Sequence, residues 1–221
     1  MASKLSPDFY IDRTNERWQL VVKNKPEFKP FSVNFHSGSY LNIYKKGLSK
    51  RDPLAKAIGA KSGTLKILDL TAGWLKDTWM LLQLGHSVTA CEKNQLVYDI
   101  LSNAVSIDRN IKEYSNLFEH LNLVHQDSLT FIQSNDLSHW DVAYLDPMFP
   151  KNSKTALAGK EMQILQLLVG NETENQDILT QLLQSSIKRI VVKRPLKGPE
   201  LLSGVNFKVE SKASRFDVYL N

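Results

Sequence analysis

Cysteine is nearly absent from this 221-residue chain, which contains only Cys91. A single thiol excludes an internal disulfide framework and a cysteine-rich zinc site, and it is typical of proteins of the reducing cytosol. We therefore expect a cytoplasmic protein, in which Cys91 fills apolar space in the core.

Long apolar runs and several well-known motifs are also absent. No stretch approaches the roughly 20 apolar residues that span a bilayer, and residues 1–10 carry charges and a proline where a signal peptide needs an apolar segment. The five histidines lack metal-ligand spacing, and there is neither a Gly-x-Ser-x-Gly motif nor a phosphate-binding loop. The sequence thus argues against secretion, membrane insertion, a metal centre, and hydrolase or nucleoside triphosphatase chemistry.

The composition is that of a globular domain with excess positive charge. Hydrophobic residues make up 42% and charged residues 23%, which excludes collagen, coiled coil and general disorder. The 28 Lys and Arg outnumber the 23 Asp and Glu, giving a formal charge of +5. This excess favours a polyanionic partner without requiring one.

Short apolar runs alternate with segments of helical periodicity from residue 64 onward, which predicts a parallel sheet between helices. Buried strands are predicted at 65–70, 86–91, 121–125, 142–145 and 189–192. Helices are predicted at 77–84, 95–105, 108–120, 155–169 and 178–187.

Two shorter patterns lie outside the five predicted parallel strands. Alternating runs at 205–210 and 215–220 predict a C-terminal antiparallel hairpin. Before residue 64, alternation at 18–22 and 31–35 predicts a small antiparallel sheet.

A short helix is also predicted to open at Asp52-Pro53, with Asp52 as its cap, and to stop at Gly59. We therefore expect an N-terminal β-rich appendage over residues 1–60 and a Rossmann-like α/β domain over 61–221. The order of elements in the larger part resembles that of class I S-adenosylmethionine-dependent methyltransferases, which have a mainly parallel sheet and a C-terminal antiparallel hairpin.

Polar residues follow the first three predicted strands. Asp69 and Gly73 belong to a strand-turn-helix segment in which backbone can approach a ligand. Glu92 lies 23 residues after Asp69, a spacing at which an acid can bind ribose hydroxyls. Asp127 and Ser128 could bind an adenine amino group or cap the next helix. These features favour an adenosine-type ligand, although a plain turn and a solvated acid remain alternatives for the first two.

The most specific motif is Asp146-Pro147-Met148-Phe149-Pro150, directly after the fourth strand. Amino-group methyltransferases use an acid, a proline and an aromatic at this point to hold a planar substrate. A ring-conjugated amine is a poor nucleophile, and Asp146 with the Pro147 carbonyl could accept its hydrogens while Phe149 stacks on the ring. The alternative is a rigid turn with a capping aspartate.

Several cations follow this motif and the fifth strand. A phosphate backbone could bind them, although surface lysines also serve only to keep proteins soluble. The candidate RNA-binding residues are Lys151, Lys154, Lys160, Lys193 and Arg194.

Several strings together resemble the ribosomal RNA small subunit methyltransferase J family over roughly residues 30–221. They are Asp69-Leu-Thr-Ala-Gly, Glu92-Lys-Asn, Tyr144-Leu-Asp-Pro-Met-Phe-Pro-Lys151, Lys160-Glu-Met162, Val191-Val-Lys-Arg-Pro195 and Arg215-Phe-Asp-Val-Tyr219. The resemblance implies an enzyme that uses S-adenosylmethionine to methylate the N2 amine of a guanosine in 16S rRNA. It also implies that rRNA or the small ribosomal subunit is the partner.

The same resemblance assigns cofactor positions. They are Lys76, Asp77, Glu92, Lys93, Asp127, Ser128 and Asp146. One position departs from the family pattern, because Leu75 stands where a glycine is usual; at positive φ it would cost about 1 kcal/mol or more. Two other hypotheses stay open: an amino methyltransferase acting on DNA, protein or a small molecule, and a non-catalytic RNA-associated Rossmann-like protein.

Overall fold

A computed structural model describes residues 8–60, 63–148, 159–169 and 174–221. Its strands are β1 (Asp8–Asp12), β2 (Gln19–Lys23), β3 (Lys66–Asp69), β4 (Ser87–Glu92), β5 (Leu121–His125), β6 (Val142–Leu145), β7 (Arg189–Pro195), β8 (Phe207–Glu210) and β9 (Ser214–Leu220). Its helices are α1 (Gly38–Lys46), α2 (Pro53–Ile58), α3 (Lys76–Gln83), α4 (Gln95–Asp108), α5 (Ser115–Glu119), α6 (Ser128–Ser134), α7 (Lys160–Val169) and α8 (Asn175–Leu183).

The main sheet has seven strands in the order β5-β4-β3-β6-β7-β9-β8. The first five of these are parallel, and β9 pairs antiparallel with both β7 and β8. The predicted parallel strands and the C-terminal hairpin are therefore confirmed, and the class I methyltransferase fold with them. The central strand β6 is buried along its whole length, as expected for a strand covered by helices on both faces.

The two faces of the sheet carry separate hydrophobic clusters. Ile67, Tyr144 and Val191 face the side that packs against α1 to α5 and α7. Leu68, Leu145 and Val192 face α6 and α8. Because successive strand residues point to opposite faces, the apolar runs read from the sequence serve both clusters.

The predicted helix 108–120 is wrong over its first half. Helix α4 continues to Asp108, and only Ser115–Glu119 is helical after it. The extension of α4 carries the fully buried Asp108 to Arg17 and to the amide of Phe35, which donate hydrogen bonds to it. These long-range partners favour the added turn, and they are invisible to local periodicity.

The N-terminal sheet is confirmed at 18–22 but not at 31–35. Its second strand is β1, which the sequence analysis missed, and Phe31 makes only an isolated bridge to Leu20. The backbone beyond Phe31 bonds to side chains instead: Arg17 donates to the Val33 carbonyl, and Asp108 accepts from Phe35. These hydrogen bonds take the place of the backbone pairing that a neighbouring strand would provide.

Helix α2 begins at Pro53 and ends before Gly59, whose φ is 76°, as predicted. The predicted cap is wrong, because the Asp52 carboxylate accepts from the Ser49 amide at 2.6 Å and makes no capping bond to α2. The division at residue 60 stays a prediction. Leu20, Phe35 and Trp79 nevertheless share one cluster, and no helix within the described ranges is long and apolar enough to cross a bilayer.

Candidate active site

A cavity of about 320 Å³ lies at the carboxyl ends of the parallel strands, a size suited to a small ligand. The structure brings all nine residues predicted to bind a cofactor to its wall. They are Asp69, Gly73, Lys76, Asp77, Glu92, Lys93, Asp127, Ser128 and Asp146. They meet there because the carboxyl ends of parallel strands share one edge of the sheet.

The turn after β3 forms the floor of this cavity and requires a glycine. Gly73 has a φ of +48°, and a Cβ built on it would lie 3.1 Å from Cδ2 of Leu165 on α7. Its amide donates to Oε2 of Glu92 at 3.1 Å. Backbone and α7 therefore approach closely here, which only a residue without a side chain permits easily.

Glu92 connects the turn to the end of β4. Its Oε1 accepts from the amide of Asn94 at 2.8 Å, while Oε2 accepts from Gly73. A carboxylate accepts several hydrogen bonds at once, so this side chain suits a ligand that carries hydroxyl groups. The matched spacing in the sequence thus corresponds to a carboxylate held rigidly in the cavity wall.

Leu75 occupies the left-handed region, with a φ of 58°, immediately before α3. The backbone strain that the sequence analysis considered for a leucine at positive φ therefore applies at this departure from the family pattern. The side chain is almost completely buried in the core, so its packing offsets the backbone strain.

Asp127 and Ser128 lie at the start of α6. Asp127 accepts from the amide of Thr130 and caps the helix, which was the alternative considered from the sequence. Ser128 is buried and donates through Oγ to the Leu70 carbonyl. Both still line the cavity, so the capping role and a place in the wall coexist at Asp127.

Two cavity lysines pair with acids on the segments that follow the Asp-Pro motif. Lys76 Nζ lies 2.5 Å from Oε2 of Glu161, and Lys93 Nζ lies 3.7 Å from Oε2 of Glu174. The Trp74 indole also donates to the Glu161 carbonyl. The two contacts of Glu161 hold the start of α7 against the turn after β3, and the pair of Lys93 with Glu174 holds the start of α8 against the end of β4.

Four polar side chains form a connected cluster at the end of β6 and at the start of α3. Lys193 Nζ donates to Oδ2 of Asp77 at 2.7 Å and to Oδ2 of Asp146 at 2.9 Å. The Tyr144 hydroxyl donates to the same oxygen of Asp77 at 2.6 Å. The amide of Asp146 donates to Thr71 Oγ1, which anchors the backbone at the start of the Asp-Pro motif.

The two carboxylates of this cluster titrate differently. Burial raises the pKa of Asp146 to about 7; Asp77 adds to the rise and Lys193 opposes it. Burial also acts on Asp77, but the charge and hydrogen bonds of Lys193, together with the Tyr144 hydroxyl, outweigh it and lower the pKa of Asp77. Asp146 is therefore poised to exchange a proton near neutral pH, while Asp77 stays ionised.

The Asp69 carboxylate stabilises the turn between β3 and α3 through hydrogen bonds. Its Oδ1 accepts from the Thr71 amide at 3.0 Å and its Oδ2 from Thr78 Oγ1 at 2.6 Å. Burial raises the pKa of Asp69 to about 6, against these hydrogen bonds. Thr71 and Thr78 fix the carboxylate between the end of β3 and α3.

Some of the remaining predicted site residues lie within the described ranges and others do not. Pro147 is buried directly after Asp146, whereas Phe149, Lys151 and Lys154 lie outside the described residues. Lys160 donates to the Glu27 carbonyl at 2.7 Å and so holds the N-terminal segment against α7.

Arg194 is a correction to the sequence-based picture of a basic rim. Its side chain is buried and donates through Nε to the Pro199 carbonyl at 2.8 Å. Being next to Lys193 in a strand, it points to the opposite face of the sheet. We therefore leave Arg194 out of the proposed RNA-binding surface.

Several wall residues were missed by sequence reasoning. Trp74, Met162, Leu165 and Asn175 line the cavity. Trp74 belongs to the turn after β3, whereas the other three come to the wall only because α7 and α8 fold over the strand ends. Tyr144 had a readable signal, because it lies two residues before Asp146 in a buried strand. Within the described ranges, no group of three or more His, Cys, Asp or Glu side chains is arranged to hold a metal ion.

Comparison with known proteins identifies the family and the fold of the chain. The family model described as putative SAM-dependent methyltransferase matches residues 2–221. A SAM-dependent methyltransferase from Neisseria gonorrhoeae has a similar crystal structure, with a TM-score of 0.75 and 26% identity over 100% of this chain and 86% of that one.

Relatives with assigned names identify a more specific family among these methyltransferases. The ribosomal RNA small subunit methyltransferase J of Shewanella loihica is 37% identical over 207 residues, covering 91% of this chain and 78% of the relative. That of Vibrio vulnificus is 36% identical over 224 residues, covering 96% and 86%. The chain therefore belongs to the ribosomal RNA small subunit methyltransferase J family of S-adenosylmethionine-dependent methyltransferases.

Proposed function

We propose that this protein methylates the exocyclic N2 amine of a guanosine in 16S rRNA, in the cytoplasm. Relatives named for small-subunit rRNA methylation support the RNA substrate. The observation that carries the choice of an amine is Asp146, whose half-buried carboxylate stands at the end of β6 beside the cavity and next to a buried proline.

The residues of the cavity fit S-adenosylmethionine. Glu92 offers carboxylate oxygens for ribose hydroxyls, Asp127 offers an acceptor for an amino group, and the close approach at Gly73 leaves backbone exposed to the ligand. When bound, this cofactor supplies a methyl group on a positively charged sulfur, which is transferable to a nitrogen.

The residues of the Asp-Pro motif would hold the base. Asp146 accepts a hydrogen bond from the amine, the Pro147 carbonyl accepts the second hydrogen, and Phe149 stacks on the ring. A hydrogen bond to a charged group contributes about 1.5–3 kcal/mol and stacking about 1–3 kcal/mol. Together they offset the few kcal/mol needed to turn a base out of a stack.

Asp146 also suits the proton that methylation releases. Methyl transfer would break the carbon–sulfur bond of the donor, release it as a neutral thioether, form the carbon–nitrogen bond and leave the positive charge on the amine. A carboxylate with a pKa of about 7 can take the proton and pass it to water. Most of the rate would come from positioning, because the amine and the donor carbon must meet in line.

The test is methylation by the purified protein of 16S rRNA from cells that lack it, with mass spectrometry of the digested nucleosides. We expect N2-methylguanosine at one site, and no methyl incorporation into DNA or peptide pools. Methylation of another nucleoside or of those pools would contradict the proposal. So would an absence of methylation.

A matched pair of variants tests the assigned residue. Asp146→Ala should lose turnover while its circular dichroism stays that of the wild type, whereas Asp177→Ala, at an exposed position on α8, should keep full activity. Wild-type turnover by Asp146→Ala would reject the role of this carboxylate.

A further inference from the structure

Lys193 is held by two carboxylates rather than exposed for a phosphate. Its side chain is 26% exposed, and its ammonium contacts Asp77 and Asp146 at 2.7 and 2.9 Å. Burial opposes its charge, but the two acids outweigh burial and raise the pKa of Lys193. The ammonium is therefore a fixed positive charge between α3 and the Asp-Pro motif, which differs from the RNA contact predicted from the sequence.

The cluster determines how Asp146 can be oriented. Asp77 Oδ2 accepts hydrogen bonds from both the Lys193 ammonium and the Tyr144 hydroxyl, so the Asp77 side chain is held from two sides. Lys193 then reaches from Asp77 to Oδ2 of Asp146. A side chain tethered at one oxygen has a restricted rotation about its χ2 angle, and its second oxygen acquires a set direction.

We propose that Lys193 is a positioning residue for methyl transfer, which joins Asp77 to Asp146 and so directs the second oxygen of Asp146 at the substrate amine. The inference rests on the proposed function. Lys193 touches neither substrate nor cofactor in this role; it acts through Asp146.

The charged groups around Asp146 give the proposal its pH dependence. Facing Asp146 are Asp77 from α3, Tyr144 from β6 and Lys193 from β7, and Asp69 from β3 interacts with all three of these groups. Lys193 is the one of these four that favours ionised Asp146. Removing its charge raises the pKa of Asp146, so activity that needs the carboxylate is lost at a higher pH.

The experiment compares Lys193→Met with Lys193→Arg. We expect Lys193→Met to lower kcat at least about 100-fold at pH 7, as for a misplaced catalytic group, with little change in the KM for RNA. The acid limb of its pH–rate profile should move up by at least about one pH unit. Lys193→Arg keeps the charge and should retain the wild-type midpoint.

A second readout does not require turnover. Carbon-13 NMR of labelled aspartates, with Asp146→Asn for assignment, should give the Asp146 carboxyl a pKa near 7 in the wild type and a higher one in Lys193→Met. The double variant Asp77→Asn/Lys193→Met removes the opposing charge too, and should bring that pKa back down.

The outcomes separate the inference from the proposed function. A wild type that does not methylate guanosine overturns the function. An active wild type with Lys193→Met unchanged in kcat and in the Asp146 pKa overturns the inference. A Lys193→Met variant that changes only the RNA KM, with weaker salt dependence, also overturns it and returns Lys193 to a phosphate contact.

A different observation concerns the surface charge of residues 45–56, which we name the basic segment. It contains five cations and one acid, a formal charge of +4 in a chain whose total is +5. All five cations are exposed. They are Lys45, Lys46, Lys50, Arg51 and Lys56.

The basic segment contains little negative charge of its own. Its one acid, Asp52, bonds to Ser49. Lys45, Lys46, Arg51 and Lys56 form no ion pair with any residue in the described ranges, whereas Lys23, Lys76, Lys93 and Lys208, among others, pair with acids elsewhere. A contiguous cationic surface of this kind attracts a polyanion.

The helix that carries the first two cations of the basic segment contacts the wall of the cavity. Helix α1 is attached to the cavity wall by the Tyr40 hydroxyl, which donates to the Trp74 carbonyl. Lys45 and Lys46 lie in the last turn of the same nine-residue helix, about 8 Å along its axis from Tyr40 at 1.5 Å per residue. A strand of RNA whose base enters the cavity could reach them with its neighbouring phosphates.

We infer that the basic segment binds the phosphate backbone of the RNA next to the target guanosine, which again rests on the proposed function. The test uses Lys45→Gln/Lys46→Gln/Arg51→Gln. Its control is Lys66→Gln/Lys112→Gln/Lys188→Gln, which removes the same charge at exposed positions outside the basic segment, two of them at the opposite edge of the sheet.

We expect RNA binding by the basic-segment variant to depend less on salt concentration than binding by the wild type. Each lost phosphate contact reduces the slope of log K against log salt by about 0.7–0.9, so three should reduce it by about 2–3 and raise the RNA KM at least tenfold. The kcat and the affinity for S-adenosylmethionine should not change. A basic-segment variant that behaves like its control in an otherwise active protein overturns the inference.

Discussion

The amide of Gly73 donates a hydrogen bond to Oε2 of Glu92 at 3.1 Å, and this bond ties the turn after β3 to the end of β4. The other oxygen of Glu92 accepts from Asn94. One carboxylate thus fixes two backbone segments of the cavity. In the proposed cofactor site, Glu92 therefore holds these two backbone segments in place without a ligand.

Glu92→Ala tests that arrangement. It removes the acceptor of two amides and the group assigned to the ribose, and a hydrogen bond to a charged group contributes about 1.5–3 kcal/mol. We expect the Kd for S-adenosylmethionine to rise at least tenfold in calorimetry. Glu119→Ala, at an exposed position at the end of α5, is the control. A Kd within twofold of the wild type for Glu92→Ala would contradict the assignment.

Gly73→Ala tests the close approach to α7. The positive φ should cost about 1–2 kcal/mol of stability, and the new Cβ would press on Leu165. Gly38→Ala has a similar φ of +53° but open space around its Cβ. Both variants should lose stability in urea unfolding, but only Gly73→Ala should also weaken binding of S-adenosylmethionine. Equal affinity for S-adenosylmethionine in the two variants would contradict the idea that a Cβ at position 73 disturbs the cavity by pressing on Leu165.

Variants of Leu75 distinguish the energetic cost of its positive φ from the stability that its buried side chain contributes. Leucine-to-alanine changes in a core cost about 2–5 kcal/mol, more than the 1–2 kcal/mol that glycine recovers at positive φ. Leu75→Gly and Leu75→Ala should therefore both be less stable than the wild type in urea unfolding. Leu75→Gly should be the more stable of the two by about 1 kcal/mol. The reverse order would mean that the φ of 58° is not strained.

Arg17 and Asp108 form a buried ion pair that fastens the N-terminal segment to α4. Their closest atoms are 2.5 Å apart, and Asp108 is fully buried. Arg17→Met should cost about 3–5 kcal/mol, because it leaves a buried carboxylate without its main partner. Arg13→Met breaks the exposed pair with Asp99 and should cost no more than about 1 kcal/mol. Similar urea midpoints for the two variants would show that burial of Asp108 does not matter.

The strands of the main sheet and nine residues of the cavity wall could be predicted from the sequence. Each buried strand was visible as an apolar run, and Asp69, Glu92 and Asp146 stand at or directly after strand ends. Parallel strands end at one edge of the sheet, so residues far apart in the chain could be placed in one cavity. Periodicity and strand direction are local properties, and local properties can be read from sequence.

Only the tertiary structure decided what the neighbouring cations Lys193 and Arg194 do. The first bridges two carboxylates in the cavity, and the second is buried against the Pro199 carbonyl. The same holds for Phe35, whose amide bonds to Asp108 rather than to a neighbouring strand. These roles depend on partners brought together from distant parts of the chain, and the charge or periodicity of a short segment does not specify such partners.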